Sequence, residues 1–136
     1  MTQNTKKCPC NSGDLFDLCC NPYISGKLKP DTAEQLMRSR YTGYVLKDSD
    51  YILKTWHLSS RPKVFDLSQE NISWKQLEII RCKKGLSTDF EGEVYFKASY
   101  EYYGKKYCIE ELSRFVKENG TWIYLIGEQS KTIIMG

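Results

Sequence analysis

The sequence predicts an α+β domain in which helices cover one face of a curved antiparallel sheet, preceded by a short segment with no core of its own. Three observations carry this expectation. A helical apolar rhythm is confined to residues 31–56, strand alternation with tight-turn residues fills much of 74–126, and four of the six cysteines crowd into the first twenty positions. With 136 residues, 40% of them hydrophobic and 13% aromatic, the chain has apolar mass for one core rather than two. The ten tyrosines and three tryptophans add large rings with a polar tip, which suit a lined cavity or a mixed interior.

Residues 1–30 carry glycines and prolines and too few large apolar side chains to pack alone, so something other than hydrophobic burial must order them. From Asp31 the pattern turns helical. Asp31 and Glu34 have capping-box spacing after Pro30, and Leu36, Met37, Arg40, Tyr41, Tyr44 and Val45 fall on one face. A second short helix starts near Asp48 and runs through Tyr51, Ile52, Leu53 and Trp56, ending before Ser59, Ser60 and Pro62. Strands follow at 74–83 and 93–103, the second alternating Val94, Phe96, Ala98 and Tyr100 against Glu93, Tyr95, Lys97 and Ser99. Gly104 with Lys105 supplies a turn into a strand at 106–117, which sets Tyr107, Ile109, Glu111, Ser113 and Phe115 on one face and Cys108, Leu112, Arg114 and Val116 on the other. Asn119-Gly120 closes a hairpin onto 121–126. The reading divides the chain into 1–30, 31–127 and a tail at 128–136.

The 20 basic and 17 acidic residues are interspersed, a balance that argues against nucleic acid as the main partner. Residues 1–7 are polar without the apolar stretch of a secretion signal, and no run reaches the roughly 20 apolar residues that span a bilayer. The expected setting is therefore the cytoplasm, away from membranes, where clustered thiols bind metal or do redox chemistry rather than form structural disulfides.

Cys8-Pro9-Cys10 and Cys19-Cys20 form two short ligand-bearing turns, the pattern that closes a tetrahedral four-thiolate zinc shell. Asn11, Ser12, Gly13 and Asp14 are turn residues that bend the chain around the ion, Leu15, Phe16 and Leu18 are expected to pack beneath it, and Lys6 and Lys7 to offset its negative charge. The rival reading is thiol–disulfide exchange between the two turns, since a vicinal Cys19–Cys20 bridge is strained. One structural Zn2+ is the expected cofactor.

The run Cys8-Pro9-Cys10-Asn11-Ser12-Gly13, followed by Cys19-Cys20 after eight residues from Cys10, resembles the SEC-C motif, a zinc-binding element also found at the C-terminus of the SecA translocase ATPase. The rest resembles the YchJ-like family of bacterial proteins, in which this motif precedes a nuclear transport factor two-like domain. The matching stretches are Asn21-Pro22-Tyr23, residues 33–44 around Leu36-Met37-Arg38-Ser39-Arg40-Tyr41, residues 50–62 around Thr55-Trp56-His57 and Arg61-Pro62, and residues 111–124 around Ser113-Arg114-Phe115 and Glu118-Asn119-Gly120. The resemblance implies a cone-shaped domain with a pocket between helices and sheet, and carries the metal ligands onto Cys8, Cys10, Cys19 and Cys20. Asn11 stands where many SEC-C motifs have Gly, and a second, C-terminal SEC-C motif found in some members is absent.

Arg40 on an apolar helix face and Glu111 on an apolar strand face both need explaining. An internal Arg40–Glu111 ion pair would satisfy both and is the simpler expectation, because an unpaired buried charge costs several kcal/mol. The functional expectation makes them pocket lining, together with Tyr41, Tyr44, Trp56, His57, Arg61 and Arg114, for a small anionic ligand. His57, the single histidine, is as well suited to capping or packing. The expected role is a non-enzymatic binding or adaptor protein whose zinc segment contacts a protein partner; the alternative is a small-molecule-binding protein or enzyme using the pocket.

Overall fold

The computed structural model describes residues 6–134, with side chains described through residue 129. The polar start at 1–5 and the last two residues of the expected tail lie outside the described residues. In order, the chain forms a 3-10 turn at Phe16–Leu18, the short helix α1 (Asn21–Ile24), the long helix α2 (Ala33–Val45), helix α3 (Ser49–Lys54) and four strands. These are β1 (Ile72–Lys84), β2 (Glu91–Tyr102), β3 (Lys105–Glu118) and β4 (Thr121–Ile134), paired in sequence order as an antiparallel meander. Helices on one side of a four-stranded sheet is the expected α+β architecture. Among the described residues, no helix is long and apolar enough to cross a membrane.

The capping box lies one residue later than expected. Thr32 accepts from the Gln35 N–H, and the Gln35 side chain reaches back to the Thr32 N–H. Glu34 instead accepts from Arg38 Nε at 3.0 Å. Helix α3 is capped by Asp48, as its sequence suggests. The β2–β3 turn is Tyr103-Gly104 rather than Gly104-Lys105, with φ of 49° and 79°, and Asn119-Gly120 repeats this geometry at 51° and 76°. Both dihedral pairs match the left-handed turn that suits twisted hairpins. Strand β4 continues through most of the expected tail, pairing with β3 as far as Tyr107 opposite Ile134.

Bulges shape the sheet. In β1, register shifts at Trp74/Gln76 and Ile79/Arg81 place Trp74, Leu77, Ile79 and Cys82 opposite the inward residues Tyr100, Ala98, Phe96 and Val94 of β2. Two further shifts, at Glu110/Glu111 and Arg114/Phe115, flank Glu111 and Ser113 in the β3–β4 ladder. Against this inner surface α2 buries Leu36, Met37 and Tyr41, and the core is completed by Val94, Phe96, Ala98, Phe115 and Trp122. A hydrogen bond from Trp122 Nε1 to the Asp31 carbonyl (3.1 Å) ties the entry of α2 to β4. The Thr55 carbonyl accepts from the Tyr124 N–H and the His57 N–H donates to the Tyr124 carbonyl, so the chain after α3 is stitched to β4 at Trp56.

Candidate metal centre and adjoining cavity

The segment before α2 is folded around sulfur. Hydrogen bonds from Cys8 N–H to the Asp14 carbonyl and from Phe16 N–H to the Lys6 carbonyl close a tight loop that carries Cys8 and Cys10. The 3-10 turn then delivers Cys19 and Cys20 to the same point. The four Sγ atoms all lie within 4.8 Å of one another, with Cys10–Cys19 at 3.6 Å and Cys19–Cys20 at 4.0 Å. All four cysteines are free thiols. A tetrahedron of Zn–S bonds of ~2.3 Å has edges of ~3.8 Å, so the donor set is compatible with a four-thiolate metal shell.

The electrostatics of the cluster call for a cation. Hydrogen bonding with Cys20 and Cys8 holds the Cys10 thiol well below its ordinary value, the reciprocal bonds push Cys20 far up, and burial pushes Cys19 up to about 12. A bound divalent ion would hold all four sulfurs as thiolates.

The protein's own cation here is Arg38, which the sequence reading missed. Its Nη1 donates to the Cys10 carbonyl at 2.9 Å and lies 3.9 Å from Cys10 Sγ. Lys7, expected to offset the charge, donates to the Gly13 carbonyl. Phe16 packs against the core as expected, whereas Leu18 stands 70% exposed. Asn11 has φ of 65°, the left-handed conformation that explains Gly in related motifs, and its Oδ1 accepts from the Leu77 N–H at 2.7 Å. Asn therefore adds a direct tie from the loop to β1 that Gly could not make.

On the other side of α2 lies a cavity of about 200 Å³. Met37, Arg40, Tyr41 and Tyr44 of α2 form one wall, Trp56 another, and Trp74, Phe96, Ile109, Glu111, Ser113 and Tyr124 of the sheet the third. Arg40 is 3% exposed. Its Nη1 donates to the Ile52 carbonyl (2.8 Å) and to Thr55 Oγ1 (2.6 Å), and its guanidinium carbon lies 4.4 Å from the Tyr124 ring centroid and 5.4 Å from that of Trp56.

The expected Arg40–Glu111 ion pair is not formed: among the described residues Arg40 has no carboxylate partner, and Glu111 Oε2 instead accepts from Ser113 Oγ at 3.0 Å. The reason is architectural, since helix end and ring faces claim the guanidinium while the strand's own hydroxyl claims the carboxylate. Burial raises the Glu111 carboxyl above its ordinary range, with Ser113 and Arg40 pulling it partly back. Burial likewise lowers the Arg40 guanidinium. Glycine at 127 makes room for this carboxylate, because a Cβ there would land on Glu111 Oε2 and Tyr124 Oη. The indole nitrogens of Trp56 and Trp74 are buried without a hydrogen-bond partner among the described residues.

Of the eight expected pocket residues, Arg40, Tyr41, Tyr44, Trp56 and Glu111 converge on this cavity, and three do not. His57 takes the packing role: its Nδ1 accepts from the Ser59 N–H and its Nε2 meets Glu118 at 2.9 Å. Arg61 donates through Nε and Nη2 to the Trp56 carbonyl, holding that loop. Arg114 projects from the opposite sheet face towards Glu93 at 3.4 Å and lines a separate shallow depression. Sequence reasoning missed Trp74, Ser113 and Tyr124. Ser113 and Tyr124 were visible through the strand alternation and the hairpin register; Trp74 was masked by the β1 bulges. Cys82 and Cys108 sit on β1 and β3 with β2 between them.

Similarity to other proteins agrees with this architecture. The family described as YchJ, middle NTF2-like domain, matches residues 32–127. A UPF0225 protein of Chromobacterium violaceum is 42% identical over 123 residues, covering 88% of this chain and 90% of its own. One from Streptomyces coelicolor is 38% identical over 124 residues, covering 91% and 96%. The solution structure of a SEC-C motif containing protein from Rhodopseudomonas palustris superposes with a TM-score of 0.80 at 32% identity, covering 91% of this chain and 98% of that one. A crystal structure of a SEC-C motif containing protein from Psychrobacter arcticus gives 0.76 at 28% identity, covering 96% and 86%. With its cysteine cluster compatible with metal binding and its helices on a four-stranded sheet, the chain belongs to the YchJ-like UPF0225 family, built from a SEC-C segment and an NTF2-like domain.

Proposed function

We propose that this protein binds a small molecule in the cavity between α2 and the sheet, and that a structural zinc ion on Cys8, Cys10, Cys19 and Cys20 orders the segment beside it. The observation that carries the first part is the buried Arg40, without a carboxylate partner among the described residues, in the wall of a cavity lined by the Trp56 and Trp74 rings. Buried donors and charges without partners are costly, and a fold retains them where a ligand completes them. Zinc suits four thiolates, and a closed four-sulfur shell leaves no coordination position for substrate, so the ion supplies order rather than catalysis.

Native mass spectrometry of freshly purified protein tests both parts. The expected mass is that of the chain plus one zinc, with a further small adduct that a cavity-filling Ser113→Leu chain no longer carries. A chain without zinc but lighter by disulfide hydrogens would overturn the metal assignment. An adduct retained by Ser113→Leu would place the ligand elsewhere.

A second reading, contact with a protein partner through the N-terminal segment, draws support from Leu18 and Leu28, which are 70% and 59% exposed. It expects a defined partner protein whose binding Leu18→Glu abolishes; unchanged binding by that variant rules this surface out.

A further inference from the structure

The hydrogen-bonding inventory of the cavity is lopsided. Trp56 and Trp74 line the cavity, and their indole N–H groups are enclosed in the packing without an acceptor among the described residues. Arg40 uses Nη1 on Ile52 and Thr55, and its Nε and Nη2 have no acceptor among the described residues. Against these stands the Glu111 carboxyl, already bonded to Ser113. A guest that supplied further donors, or a positive charge beside a buried guanidinium, would add to the imbalance. One that brought two acceptor oxygens and a single negative charge would correct it, and a carboxylate meets a guanidinium in a bidentate geometry. A phosphate dianion is a poorer match, because the lining offers one cationic side chain and also carries a carboxyl.

Size and shape narrow the guest further. At about 200 Å³ the cavity lies below the ~300 Å³ at which pockets for drug-sized ligands begin, so the occupant is fragment-sized. Tyr41, Tyr44, Trp56, Trp74, Phe96 and Tyr124 present ring faces and edges, which favour a flat apolar body. Burial also favours the neutral form of Glu111, which removes the charge that would repel an anion and leaves a carboxylic O–H able to donate to it.

Building on the small-molecule reading, we propose that the cavity binds a planar, fragment-sized monocarboxylate, its carboxylate held by Arg40 and its body against the aromatic walls.

The test uses the full, metal-loaded chain labelled with 15N and three probes of nearly equal shape: benzoate, neutral benzamide and cationic benzylamine. Benzoate is expected to shift the indole N–H signals of Trp56 and Trp74, leave that of Trp122 in place, and bind at least about tenfold more tightly than benzamide. Trp122 serves as the internal control because its Nε1 is already bonded to Asp31. Arg40→Met should abolish the preference for benzoate while benzamide still binds. Should that variant not fold, Arg40→Lys, which keeps the charge and loses the planar fork, should weaken benzoate and spare benzamide. Equal or better binding of benzamide or benzylamine, or a benzoate preference that survives Arg40→Met, overturns the carboxylate assignment but leaves a small-molecule cavity. Indole signals that no probe moves overturn both.

Discussion

The two sides of helix α2 meet the problem of buried polarity in opposite ways. Towards the N-terminal segment, four thiols, the Arg38 guanidinium and the Asn11 amide are gathered so that one added ion closes the electrostatic account of the whole group. Towards the sheet, Arg40, Glu111 and two indoles surround a space and leave their needs partly unmet. The first arrangement is complete once metal is bound and has no position left for chemistry. The second leaves Arg40 without a carboxylate partner among the described residues, the observation on which the proposed ligand site rests. The lesson is that residues two positions apart on one helix, Arg38 and Arg40, face quite different environments.

Breaking the metal side should produce the largest effect. Cys20→Ser, at a site 1% exposed, is expected to lose the ion and cost several kcal/mol, measured by metal content and thermal melting, whereas Cys108→Ser on β3 should leave metal content unchanged. If Cys20→Ser kept its metal and its melting temperature, the contrast between the two faces would collapse. Gly127→Ala sharpens the other side. Its Cβ would displace Glu111 and Tyr124 at a cost of about 1–3 kcal/mol, and should perturb the Trp56 indole signal through Tyr124 while metal content stays constant.

The smallest effect isolates one proton. The folded-state value of Glu111 is raised, so the unfolded chain loses its proton at lower pH than the folded one, and stability falls as pH rises from its ordinary value of 4.5 through the folded-state value. Glu111→Gln should therefore melt higher than the parent above that window and show no such advantage below it. A melting difference independent of pH would mean that Glu111 is already ionised in the folded protein.

The metal ligands were legible because their chemistry is local: four thiols on two short turns have few arrangements other than a shared ion or exchange of disulfides. The cavity was half legible. Arg40 and Glu111 stood out as charges on apolar faces, and the strand period placed Glu111, Ser113 and Phe115 together on one face. Their relation was misread as a direct pair, since nothing local says that Ile52, Thr55 and the Tyr124 ring take the guanidinium first. Trp74 was lost for a related reason. Two bulges break the period of β1, so Trp74, Leu77, Ile79 and Cys82 face inward at spacings that no single alternation predicts. Arg114 and Arg61 were included as arginines able to bind an anion; strand parity turns Arg114 outward, and a carbonyl captures Arg61.

By itself, then, the sequence determined what depends on neighbours in the chain: the helix and its capping region, the strands and their left-handed turns, and the thiols gathered for a metal. Only the tertiary structure decided which buried charges would go without a partner. That outcome is set by which distant groups compete for the same donors across α2, α3 and the bulged sheet, and such competition has no signature in local spacing.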